Sequence, residues 1–158
     1  MKIEDVLVPV DFSPNSVRAI DFAASLLDGD GELCLLHVID SGFVERLASE
    51  GFSEPAQAIE KLRNRAQERL EETIAAFQGP KPHFESMIVV GRPFSEILRV
   101  ATDLDFQLIV MGTHSVSGED IEELLFGSTA EKVLRGTRIP VMFVPDGVET
   151  SREEESGD

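Results

Sequence analysis

A chain with one cysteine has no internal disulfide to lean on, and here that cysteine, Cys34, lies inside the apolar run LCLLHV. It reads as a small buried hydrophobe, and without a disulfide framework the expected location is cytoplasmic. No apolar run approaches the ~20 residues that span a bilayer, so no membrane insertion is expected. The opening MKIEDVLVPVDF carries acids within its apolar stretch and has no small-residue cleavage site, so it reads as a strand rather than a signal peptide. Positive charge is also scarce. Four lysines occur, nineteen of the thirty acids are glutamate, and the formal net charge is −16. Such a balance argues against nucleic acid as a partner, whose binding draws on cationic neutralisation of phosphates, and against an anionic membrane surface. The last ten residues, ETSREEESGD, hold five acids, one arginine and no apolar residue, so the tail 147–158 is expected to be acidic and disordered. A surface this acidic stays soluble where salt screens its self-repulsion, as in a salt-adapted host; an acidic mesophile is the alternative.

What is present is alternation. With 158 residues, 42% of them hydrophobic, the chain is expected to form one domain with a full core over residues 1–146. EDVLVPVDF (4–12) reads as a buried strand, and the helix after it has Ser13 as N-cap and Pro14 at its first position. ELCLLHVID (32–40) is a second strand, residues 41–54 read as a long connection, and 54–77 is the longest helix. That helix gathers Ile59, Leu62, Ala66, Leu70, Ile74 and Phe77 on one face. HFESMIVVG (83–91), a helix over 93–104, FQLIVMG (106–112), a helix over 128–136 and PVMFVP (140–145) complete the series. Strand–helix alternation with right-handed crossovers predicts an α/β fold with a parallel, doubly wound sheet.

Several chemistries lack their parts. There is no G-x-x-x-x-G-K-[ST], no G-x-G-x-x-G and no G-x-S-x-G, and no two of the three histidines have metal-ligand spacing. His37 is expected in the core, with His83 and His114 exposed. No catalytic base has an evident task, so the chain is read as a non-enzyme. In an open parallel sheet, ligands bind beyond the carboxyl ends of the strands where strand order reverses. Pro9, Val10 and Asp11, then Val38, then Met111 and Gly112, stand at three such ends. Asp11 offers a carboxylate to a hydroxyl or amine, the backbones around Val10 and Val38 offer a base edge, and Met111 offers a packing face. Gly127, Ser128 and Thr129 place N–H groups and hydroxyls at a helix start, which suits phosphate. The plainer readings stand beside these: Asp11 ends a strand, and Ser13 or Ser128 caps a helix.

The wording VLVPVDFSPNSVRAIDFA, LLHVID, LIVMGTHS and FGSTAEKVLRGTRIPVMFVP resembles the universal stress proteins of the UspA-like kind, from about residue 2 to 145. The resemblance implies a three-layer sandwich around a five-stranded parallel sheet in the order 3-2-1-4-5. It also implies a homodimer paired through the last strand (140–145). Nucleotide-binding members resemble G-x-x-G, nine residues, then G-[ST]. Carried over, Pro9, Val10, Asp11, Val38 and Met111 would meet adenine and ribose, and Gly112, Ser115, Gly127, Ser128 and Thr129 the phosphates. The ligand would be ATP, or ADP or AMP, with or without magnesium. Two departures bear on this: Ser115 stands where the second glycine belongs, and eleven residues separate it from Gly127. The surplus falls in EDIEE (119–123). Facing the pocket at ~4 Å and an effective dielectric of ~20, each acid would oppose a phosphate charge by about 4 kcal/mol before screening; on a solvated face the cost is small, and that is the reading adopted. The expectation is a dimeric adenine-nucleotide-binding regulatory protein. The alternatives are a nucleotide-free dimer that acts as a stress-response or partner-binding module, and a slow nucleotide hydrolase.

Overall fold

Val6, Val8 and Val10 point to one side of β1 (Asp5–Pro9) and the residue after it, and Leu7 to the other. This period of two lets one strand serve two cores. The computed structural model describes residues 1–27, 29–113 and 126–145. Ten elements follow in order: β1, α1 (Pro14–Leu27), β2 (Glu32–Asp40), α2 (Ser41–Ser49), α3 (Pro55–Ala76), β3 (His83–Gly91), α4 (Pro93–Asp103), β4 (Leu108–Gly112), α5 (Ser128–Gly136) and β5 (Val141–Val144). The strands form one parallel sheet in the order β3-β2-β1-β4-β5, as expected.

The sheet is covered on both faces. Val6, Val8 and Val10 pack with Ala19, Ile20, Ala23 and Leu27 of α1 and with Leu70 of α3. Leu7, Cys34 and Ile109 pack with Ile97 and Val100 of α4 and Val133 of α5. Cys34 is buried, and that burial, with smaller contributions from Glu85 and Glu32, pushes its thiol up to about 12. A third cluster joins Val44 of α2 to Ala58 of α3 over Ile39.

Ser13 caps α1 as predicted: its Oγ accepts the Ser16 N–H at 3.2 Å, while Ser16 Oγ donates back to the Ser13 carbonyl at 2.9 Å. The α1–β2 turn is closed by Gly31, at φ +79, where a Cβ would come within 2.7 Å of the Glu4 carbonyl oxygen.

Two expectations need correction. The first strand is Asp5–Pro9, not 4–12: Phe12 adopts φ +66, and the chain leaves the sheet before it. The segment 41–54 is not simply a connection, because Ser41–Ser49 is helical. Asp40 nucleates that helix by accepting the Gly42 N–H on Oδ1 at 2.9 Å. The early Gly42 and the short length left too little periodicity to signal it. The tail 147–158 lies outside the described residues. Among those that are described, no helix is long and apolar enough to cross a membrane.

Candidate nucleotide site at the sheet switch point

The chain runs from β1 outward to β2 and β3, then crosses back to β4 and β5, so strand order reverses between β1 and β4. A cavity of about 110 Å³ opens beyond their carboxyl ends. Pro9, Val10 and Asp11 line it from β1, and Leu36 and Val38 from β2. Met111, Gly112 and Thr113 line it from β4, Ser16 from α1, and Gly127 to Ala130 from the start of α5. Nine of the ten residues singled out in the sequence thus meet at one place. The tenth, Ser115, lies outside the described residues, as do His114 and the acids of 119–123.

Each residue is held by a local cause. Val10 donates its N–H to the Leu36 carbonyl at 2.8 Å, and its own carbonyl lies 2.8 Å from His37 Nδ1. A carbonyl only accepts, so Nδ1 carries the proton. Val10 therefore has no free N–H for a base edge, which corrects one expectation; its side chain is buried in the core beneath α1. β1 ends opposite Leu36, so Val38, two residues on, has no β1 partner in the ladder. Asp11 is exposed, and its Oδ1 accepts the Ser13 N–H at 3.0 Å. The carboxylate both shapes the turn and borders the cavity. Phe12 stacks on His37 with ring centres 4.8 Å apart, and the Arg69 guanidinium lies 4.6 Å from the Phe12 ring centre. Burial pulls the His37 pKa down; the Val10 hydrogen bond and Asp11 oppose this, and Arg69 adds to it.

Gly112 is required by packing. A Cβ there would overlap the Asn15 side-chain amide, which donates to the Val144 carbonyl at 3.1 Å and so ties α1 to β5. Gly127, not Ser128, is the N-cap of α5, and as a glycine it offers no side-chain cap. The first N–H groups of a helix have no intrahelical partner and suit an anion. The Gly127 N–H donates to the Thr113 carbonyl at 2.6 Å and anchors the helix start to β4.

Thr113, Ser16, Leu36 and Ala130 were not anticipated in the sequence. Thr113 directly follows Gly112, and adjacency was its only signal. Elsewhere, strand register sets Glu32 opposite His83, and with Glu85 their ligand atoms lie within 4.8 Å of one another. Histidine spacing could not reveal that group. All three side chains are exposed, and His83 Nε2 sits 3.7 Å from Glu85 Oε1.

The comparisons with known proteins bear on the family and the fold. The sequence matches the model of the Universal stress protein family over residues 2–145. It is 29% identical to universal stress protein MJ0577 of Methanocaldococcus jannaschii over 153 residues, covering 88% of this chain and 93% of the relative. It is 32% identical to MJ0531 of the same organism over 142 residues, covering 88% and 80%. A solved structure of MJ0577 superposes with a TM-score of 0.79 at 26% identity, covering 94% of this chain and all of that one. The universal stress protein of Archaeoglobus fulgidus solved in complex with dAMP shares the fold, with a TM-score of 0.61 at 24% identity, covering 90% and 98%. A match over nearly the whole described chain, with the predicted strand order beneath it, leaves one assignment: this chain belongs to the universal stress protein family.

Proposed function

We propose that this chain is a non-catalytic adenine-nucleotide-binding regulatory protein of the ATP class, acting in the cytoplasm as a homodimer paired through β5. The observation that carries the reading is the convergence on one cavity of an apolar slot, a carboxylate and a helix start. Val10, Val38 and Met111 suit the faces of a base, Asp11 suits a ribose hydroxyl, and the start of α5 suits phosphate. The dAMP bound by the Archaeoglobus fulgidus protein is a property of that protein; the support here is the cavity itself. Asp11 is the carboxylate at the described lining, and it is the residue that would hold a magnesium ion, which would offset phosphate charge. β5 is an edge strand with one neighbour, β4, and a second copy would cover its open side.

The test is to purify the full chain without added nucleotide, denature it and identify released small molecules by mass spectrometry. Titration of the emptied protein with ATP, ADP and AMP, with and without magnesium, follows. Nucleotide near one per chain, or saturable binding that raises Tm, is the expected result. At a hundredfold excess over Kd such binding adds about 2.7 kcal/mol of stability. An empty protein that takes up none of the three would favour the nucleotide-free partner-binding dimer. Metal-dependent phosphate release lost on Asp11→Ala would favour the hydrolase.

A further inference from the structure

Phe12 combines a bulky side chain with a left-handed backbone, at φ +66. The other described non-glycine residue with positive φ is Asp105, whose short polar side chain suits that region. A phenylalanine has no such local help, so its conformation persists where the surroundings impose it, and residues held in this way gather at ligand sites. Two elements hold the ring here. His37 of β2 stacks on it with ring centres 4.8 Å apart, and the Arg69 guanidinium of α3 lies 4.6 Å from its centre, within cation–π range. His37 is fixed in turn by the 2.8 Å bond from its Nδ1 to the Val10 carbonyl.

The residue so held is the middle of one hydrogen-bonded turn. Asp11 Oδ1 accepts the Ser13 N–H at 3.0 Å, and Phe12 is the residue that the bond spans. The Phe12 torsions therefore decide whether that carboxylate and that N–H meet. The bond engages one carboxylate oxygen and so orients the other. Asp11 is exposed and lines the cavity at the switch point, whereas Phe12, His37 and Arg69 lie outside its described lining. One carboxylate at the cavity is thus tied, through a single turn, to β1, β2 and α3.

We propose that Phe12 is a positioning residue for the candidate nucleotide site: the His37–Phe12–Arg69 stack holds the turn that presents the Asp11 carboxylate to a ribose hydroxyl. Arg69, an exposed residue of α3 outside the cavity, then sets nucleotide affinity through Asp11 rather than by touching the ligand. The proposal rests on the nucleotide-binding reading and adds to it three residues beyond the cavity and a coupling between α3 and the site.

The experiment titrates the full chain calorimetrically with ATP and with 2′,3′-dideoxy-ATP, which lacks the ribose hydroxyls, and compares the parent with Phe12→Leu, Arg69→Gln and Phe12→Tyr. Phe12→Leu keeps apolar packing against the core and removes the ring; Arg69→Gln changes an exposed side chain and leaves the core alone. The parent is expected to bind ATP about tenfold more tightly than the dideoxy analogue, the margin of a hydroxyl bonded to a charged carboxylate. Phe12→Leu should weaken ATP binding about fivefold and Arg69→Gln about threefold, with the dideoxy analogue bound within about twofold of the parent in both. Phe12→Tyr keeps the ring and should keep the parent's preference. Equal losses for the two ligands would overturn the proposal, since general loosening of the fold or direct attraction of Arg69 for the ligand would weaken both alike. Parent-like ATP binding by both Phe12→Leu and Arg69→Gln would overturn it as well. A parent that binds ATP and the dideoxy analogue equally would overturn it by leaving Asp11 no ribose contact, with nucleotide binding itself intact. A parent silent toward both would remove the nucleotide-binding reading, and the proposal with it.

Discussion

His37 owes its behaviour to three neighbours from distant parts of the chain. Its Nδ1–H is committed to the Val10 carbonyl, its ring stacks on Phe12, and the Arg69 guanidinium lies over the Phe12 ring. Burial favours the neutral imidazole and sets its pKa below the ordinary value of about 6.5. With the folded pKa depressed, acid protonates the unfolded chain first, so the stability contributed by neutral His37 is present above pH ~6.5 and lost as pH falls below it. Thermal melts between about pH 7.5 and 5.5 should therefore show a steeper acid-side loss of Tm for the parent than for His37→Gln. Parallel curves would show that His37 titrates alike in both states. In the sequence His37 was legible as a packed, hydrogen-bonded strand residue, whereas its partners were not. Gly112 was legible as a site residue from its place at a strand end and from the family pattern. The structure adds a second reason, the Asn15 amide that fills the space a Cβ would occupy.

At the scale of elements, legibility follows periodicity. α3 runs 22 residues, and the apolar face read from its sequence is the face it buries, with Leu70 fully enclosed against the sheet. Truncating that side chain removes apolar contacts and leaves a void, so Leu70→Ala should lower unfolding stability by about 2–5 kcal/mol, read from denaturant melts. A loss well under 1 kcal/mol would mean that α3 is not anchored to the sheet at this point. β3 and α5 have the residue ranges read from their sequences, because turn-forming residues bracket the first and Gly127 and Gly136 the second. α2 escaped because its signal is a side-chain cap from Asp40, one residue before the helix and itself the last residue of a strand. A carboxylate in that place reads equally well as a strand end. Ser128 shows the converse: a serine at a helix start suggests a cap, yet the backbone puts Gly127 in that position.

For the whole molecule, the open side of β5 and the charge of −16 pull in opposite directions. An edge strand with an apolar sequence favours pairing with a second copy, while like charge opposes association at low salt. Light scattering should give twice the mass of one chain. Val141→Lys, which sets a charge on the edge strand, should shift the protein toward monomer while circular dichroism stays unchanged; a dimer that persists in this variant would place the contact elsewhere. Salt should strengthen the dimer by screening, with most of the change complete by about 0.15 M, where the screening length is ~8 Å. The sequence by itself determined the α/β class and the parallel sheet, because periodic burial, turn residues and the handedness of crossovers are local or nearly local properties, and its resemblance to known stretches carried the family. The tertiary structure alone decided that Ser16, Leu36, Thr113 and Ala130 join the predicted residues at the cavity. Val6 meets Leu108 across about a hundred positions of chain, and that juxtaposition brings Asp11 to the same space as Met111 and Gly127. It also decided that Thr113, and no other buried polar residue described, is left without a partner. Whether a hydroxyl is satisfied depends on everything that surrounds it, and local sequence carries no record of that.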